Sequence, residues 1–129
     1  MHSSQPVRLL IALLCLALAA CASEVPRQAE KFTALASATM AERKVVRQDI
    51  HARLGSGYER FIGSGTRWEL VGRVPQGKVY KCLNTAFTIE GANIHEAYLV
   101  ENNGKLVGFY LPVERAFSPL ESNYDINWE

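Results

Sequence analysis

AEKFTALASATMAERKVVRQDIHARL, residues 29–54, is the stretch on which the fold class turns. Phe32, Leu35, Thr39, Val46, Ile50 and Leu54 recur at three, four or seven residues, the spacing that puts side chains on one face of a helix. Arg43, Lys44, Arg47 and Asp49 fall between them, where they can face water. Thr39 followed by Glu42 fits a capping box, in which the threonine oxygen meets a free amide of the first turn and the glutamate reaches back. The pattern therefore predicts one long helix, or a short helix and a second over 40–54. Gly55 or Gly57 supplies the stop, since either can take the left-handed conformation at a helix end.

Downstream the period changes. LGSGYERFIGSGTRWEL contains GSG twice, but neither copy continues into the lysine and hydroxyl residue of a phosphate-binding loop. They read as turns flanking one helical turn, Tyr58 to Ile62, with Tyr58, Phe61 and Ile62 packed on the domain. RWELVGRV, residues 67–74, alternates as a half-buried strand, with Trp68, Leu70, Gly72 and Val74 on one face and Arg67, Glu69 and Arg73 on the other. PQG punctuates it, and KVYKCL, residues 78–83, returns as a second strand. A short third strand lies around 86–90. HEAYLVEN (95–102) and KLVGFYLPV (105–113) form the clearest hairpin, joined across Asn103 and Gly104, two residues that tolerate the positive φ of a tight turn. Pro112 lacks an amide hydrogen, so that strand end belongs at an edge. The fold class expected is α+β: an N-terminal helical segment packed on a four- or five-stranded antiparallel sheet. A small curled barrel competes, because Gly72, Gly77, Gly91 and Gly108 permit strong bending. Residues 31–120 form the single domain, and 121–129 are a C-terminal tail or edge strand built on the alternation of Tyr124, Ile126 and Trp128.

Upstream, MHSSQPVR precedes the twelve-residue apolar run LLIALLCLALAA, and polarity returns directly after Cys21. A charged start, a short apolar core and small residues at its end make a secretory signal, residues 1–20. Twelve helical residues rise about 18 Å, short of the roughly 30 Å hydrocarbon core of a bilayer. Leu18-Ala19-Ala20-Cys21 resembles the lipobox of bacterial lipoproteins position by position. That resemblance implies cleavage before Cys21, lipidation of its sulfur with fatty acyl chains such as palmitate, and acylation of the new amino terminus. Ala22, where inner-membrane members carry Asp, implies the outer membrane, with the body on its periplasmic face. Residues 21–30 then comprise the lipidated cysteine and a short tether, interrupted by Pro26.

The full chain has 14 Lys plus Arg and 13 Asp plus Glu; losing Arg8 with the signal leaves 13 of each in a 109-residue mature chain. That is enough for one small domain. Mixed, balanced charge speaks against nucleic acid, whose recognition depends on concentrated positive charge. With Cys15 removed and Cys21 lipidated, Cys82 has no intrachain partner and is expected to be buried. Two histidines and one thiol are too few for a structural zinc site.

No catalytic constellation assembles from spacing. His95 and Glu96 are adjacent, so a strand points them to opposite faces. Glu90 and Glu114 have no spacing that pairs them, and Ser56 and Ser64 lie in GSG turns with no nucleophile elbow. The residues thus name no catalytic, cofactor-binding or metal site, and the chain reads as a non-enzyme. Aromatic excess in the C-terminal half points instead to protein recognition. The segment FYLPVERAFSPL, with Tyr110, Phe117 and Leu120, is the first candidate for partner contact. The loop VPQGK, with Pro75 and Gln76, is a second, suited to insertion into an enzyme cleft. Together these readings predict an outer-membrane lipoprotein that acts as a structural or adaptor component of a periplasmic envelope or secretion assembly. Its partners would be the outer membrane, through the anchor, and a periplasmic or membrane protein. The alternative is an inhibitor or binding module for a periplasmic hydrolase or cell-wall ligand.

Overall fold

A computed structural model of the chain describes residues 24–36 and 42–129. Within them there are twelve strands and no helix. They are β1 (Gln28–Ala29), β2 (Thr33–Ala34), β3 (Arg43–Val45), β4 (Ile50–Arg53), β5 (Glu59–Ile62) and β6 (Arg67–Val74). The rest are β7 (Gly77–Cys82), β8 (Thr88–Glu90), β9 (Ile94–Glu96), β10 (Tyr98–Asn102), β11 (Lys105–Leu111) and β12 (Ala116–Asp125). Eight of these build one curled antiparallel sheet in the order β1-β12-β11-β10-β7-β6-β2, with β3 also paired to β6. Hairpins β4-β5 and β8-β9 complete the molecule. The sheet curls far enough for its margins to meet. Arg47 N donates to Asn127 O at 2.8 Å, and Glu129 N donates to Val45 O at 2.8 Å, on either side of a Val46–Trp128 bridge. The result is a half-barrel.

The helix expected over 29–54 is replaced by strands, and the arithmetic of periodicity explains why. Ile50 and Leu54 are four apart, a spacing that satisfies both a helix face and alternate positions of a strand. Ala52 decides between them: Ile50, Ala52 and Leu54 are all buried while His51 and Arg53 are exposed, which only a period of two allows. Phe32 and Leu35 are an odd number of positions apart, and they pack into clusters on opposite faces of the sheet. Valine and isoleucine at 45, 46 and 50 favour the extended state for the same reason that they are stiff in helices. The Thr39 half of the capping box lies outside the described residues, as do the signal and Cys21. The helical turn expected at 58–62 is strand β5, which leaves Phe61 exposed while Ile62 is buried.

Two bulges set the curl. The tripeptide LVG occurs at 70–72 and again at 106–108. In each case the ladder skips the valine: Leu70 pairs Tyr80 and Gly72 pairs Val79, while Leu106 pairs Glu101 and Gly108 pairs Val100. An extra residue on one strand bends it and increases local twist. The bulge also corrects the facing of β6, because Trp68 and Leu70 enter the main core whereas Val74 emerges in the cluster on the opposite face. The main core holds Trp68, Tyr80, Leu99 and Phe109, covered by Leu54 and Ile62 from the β4-β5 hairpin and Ile89 from β8. Cys82 is a free thiol buried in it.

The first and last described segments both lie against the sheet. Residues 24–30, read as tether, contribute a buried Val25, a hydrogen bond from Ser118 Oγ to Pro26 O at 2.6 Å, and the β1-β12 pairing. At the C-terminus, β12 runs to Asp125, and Ile126 is buried against the main core. The hairpin turn forms as expected: Asn102 pairs Lys105, with φ of 50° at Asn103 and 77° at Gly104.

Candidate binding cleft

Between the N-terminal arm and the second face of the sheet lies an open cleft of about 750 Å³. Strand register builds its floor. Lys81 stands opposite Glu69, Tyr98 opposite Tyr110, and Tyr110 opposite Phe117, so these side chains form a rank across the strands. Leu99 paired with Tyr80 places Lys81 beside Tyr98 in that rank, and the Lys81 ammonium lies 6.0 Å from the Tyr98 ring. Phe32 of the arm stacks on Tyr110 with ring centroids 5.0 Å apart and planes 15° from parallel. Gly72 sits beneath Phe32, where any Cβ would strike the ring, so the glycine lets the arm approach.

Lys31, Lys81 and Arg115 line the cleft, against one carboxylate, Glu30. Glu30 is already engaged, accepting from Gln76 Nε2 at 2.8 Å and Gln28 Nε2 at 3.0 Å. Burial pushes both cleft phenols above their ordinary range; Glu96 adds to the effect at Tyr98, while Arg115 opposes it at Tyr110. Both hydroxyls therefore stay protonated near neutral pH and can donate as well as accept. A second hollow of about 310 Å³ shares Lys81 and Tyr98 and continues past Leu83 and Phe87. The two make an elongated surface with aromatic walls, neutral phenols and a cationic rim. The described lining of the main cleft contains no serine, cysteine or histidine.

The candidate contact residues are divided by the fold. Tyr110 is buried but lines the cleft. Phe117 supports it from the same face, and Leu120 belongs to the main core. Pro75 is exposed and Gln76 half-buried in a two-residue turn, since Val74 pairs Gly77, and the Gln76–Glu30 bond ties that turn to the arm. A pinned two-residue turn is a poor shape for probing an enzyme cleft. Sequence reasoning put Phe32 on a helix face and did not single out Lys31 or Tyr98 as contact residues; the Tyr98–Tyr110 pair depends on the hairpin register.

His95 is buried, with its Nδ1 2.6 Å from Glu114 Oε1. An ionised carboxylate only accepts, so Nδ1 carries the proton and donates. His95 Nε2 and Glu114 Oε2 are buried without a partner among the described residues. The bond joins β9 to the turn between β11 and β12, and it fits a latch between two loops. Burial, the largest single effect, would raise the Glu114 pKa, but the His95 hydrogen bond, a backbone hydrogen bond and the nearby charge of Arg27 together outweigh it and hold the carboxyl below its ordinary 4.5. A lowered folded pKa contributes stability above the ordinary value, and that contribution is lost as pH falls through the folded one. Glu114→Gln is thus expected to cost about 1 kcal/mol at pH 7. The difference from the parent should shrink progressively below pH 4.5, the ordinary value, in urea melts taken across pH.

Among the described residues no helix is long and apolar enough to cross a membrane, and no three His, Cys, Asp or Glu side chains are grouped to share a metal ion. No protein-family model, no curated protein and no solved structure matches the chain.

Proposed function

We propose that the protein is an outer-membrane lipoprotein whose body is a non-catalytic adaptor. Cys21 carries the lipid, and the cleft under the N-terminal arm takes an extended segment of an envelope protein partner that bears acidic and apolar residues. The observation that carries this reading is the cleft itself: stacked Phe32 and Tyr110 beside Tyr98, rimmed by Lys31, Lys81 and Arg115. Aromatic surfaces give contact area at little cost in side-chain entropy, and cations at the rim select for carboxylates and speed encounter. An elongated shape suits a chain segment better than a compact ligand. The lipid anchor adds effective concentration at the membrane, so modest affinity suffices.

The test is photocrosslinking in intact envelopes from a probe at Lys81, followed by reversal of rim charge. Replacing Lys31 and Arg115 together by glutamate is expected to reduce capture at least about tenfold, while thermal stability stays near that of the parent because both side chains are exposed. Capture unchanged by the reversal would remove the cleft from the proposal. Cys21→Ser should leave capture by the solubilised body intact and abolish membrane enrichment.

A further inference from the structure

We infer that the body does not hang free of the membrane but stands on the bilayer surface on one rim, with Ile94 and Val113 seated among the lipid headgroups and upper acyl chains. This rests on the proposed anchor at Cys21. Only Ala22 and Ser23 lie between Cys21 and Glu24, so three Cα–Cα steps put the anchored end within about 11 Å of the first described residue. Glu24 in turn is held to one place on the body by the burial of Val25 beside it, and there its Oε1 accepts from Asn93 Nδ2 at 3.2 Å in the turn between β8 and β9. The anchor therefore holds that turn against the membrane.

Among the described residues, the two most exposed large apolar side chains lie on the two loops that the His95–Glu114 bond brings together. Ile94 is 70% exposed and Val113 77%, against 47% for Phe61 and 36% for Leu83. Ile94 adjoins His95 and Val113 adjoins Glu114, and the 2.6 Å bond between His95 and Glu114 holds the two loops side by side. Solvent exposure of two large aliphatic groups is unfavourable, and seating them at a bilayer interface relieves it. Two such groups would bind a membrane weakly in a free protein. Tethered by lipid, they need only choose an orientation, since the anchor keeps their local concentration high.

The rim carries no cationic block for anionic headgroups. Glu24 pairs with Arg27 at 3.3 Å, exposed Glu90 and Arg115 are of opposite sign, and the remaining charged side chains, Glu114 and half-buried Glu96, are carboxylates. Docking is therefore apolar in character and insensitive to salt. Because Pro112 and Arg115 of this turn also line the cleft, the cleft opens next to the membrane. A partner segment close to the bilayer is then the one best placed to enter it.

The full lipidated chain, reconstituted in phosphatidylethanolamine–phosphatidylglycerol vesicles with brominated acyl chains, tests this directly. Single environment-sensitive nitrobenzoxadiazole labels are placed at Ile94→Cys, Val113→Cys and, as the reference, Asn103→Cys in the exposed turn at the far end of β10 and β11. Cys82 is buried, which spares it from labelling. Bromine quenching at 94 and 113 is expected to exceed that at 103 by about twofold or more, because an interfacial contact brings the label to the acyl boundary. It should be unchanged by high salt. Quenching at 94 and 113 no greater than at 103, in protein that floats with the vesicles, would overturn the rim inference and leave the anchor standing. Mass measurement of the amino-terminal peptide separates the other failure: an unmodified Cys21 would sink the anchor and the rim together.

Discussion

Gly77→Ala is expected to cost about 3 kcal/mol or more, a large share of the stability of a small domain. Gly77 opens β7 directly after the two-residue turn at Pro75 and Gln76, and its φ is 157°. A Cβ there would overlap the carbonyl oxygen of Glu101 and lie 2.9 Å from its carbon. The obstacle is backbone of β10, the neighbouring strand, so no side-chain rotation can clear it. Relief would require β7 and β10 to separate, and that pair lies at the centre of the sheet. Two other glycines calibrate the effect. Gly104→Ala meets nothing within 4 Å but sits at φ 77°, so it should cost about 1–2 kcal/mol from backbone conformation alone. Gly55→Ala meets nothing and has no positive φ, and should be near neutral. Urea midpoints for the three variants should fall in that order. Equal midpoints for Gly77→Ala and Gly104→Ala would mean that the contact with Glu101 is not maintained in solution.

The same glycines mark where the sequence was readable and where it was not. The extent of β6 was legible because Trp68, Leu70 and the charges between them alternate, but the bulge at Val71 turns Val74 to the face opposite the expected one; the Asn103–Gly104 turn was legible because its chemistry is local. The helix over 29–54 was misread because Ile50 and Leu54 satisfy two periods at once, and only the burial of Ala52, a small residue that carries little signal, separates them. The cleft was hidden by a single skipped residue. Counting outward from Asn102 and Lys105 without a bulge would set Tyr98 opposite Phe109, a core residue. The bulge at Val107 moves the register by one and sets Tyr98 opposite Tyr110 instead, which makes the aromatic floor. Bulges depend on how a sheet closes upon itself, a property of all its strands together. The cations of the rim come from the arm, β7 and the turn after β11, so no short motif could have brought them together. The His95–Glu114 latch is likewise a long-range contact, between a histidine set apart from its neighbour Glu96 by strand alternation and a glutamate whose spacing shows no partner.

Trp68→Ala should be the most damaging change in the core, at about 3–5 kcal/mol. Trp68 is fully buried on β6, the strand that pairs with β2, β3 and β7, so its loss is felt on both sides of the sheet. Its ring meets Phe87 edge-on, with centroids 5.2 Å apart at 73°, and Phe87 continues to Phe109 at 5.9 Å. The Arg60 guanidinium also lies over the Phe87 ring, 4.0 Å from its centroid, and its Nε donates to Thr88 O at 2.7 Å. This column ties β5, β6, the segment before β8, and β11 into one unit. The indole Nε1 donates to Thr66 Oγ1 at 2.9 Å, and that hydroxyl donates onward to Gly63 O at 2.7 Å, which fixes the turn entering β6. Alanine would therefore leave a large void and a threonine oxygen short of a donor. Trp68→Phe keeps most of the volume and loses the hydrogen bond, so a smaller cost of about 1–2 kcal/mol is expected. Denaturant unfolding of the pair separates packing from hydrogen bonding. If both variants lost the same stability, the Thr66 contact rather than the aromatic column would hold this part of the sheet.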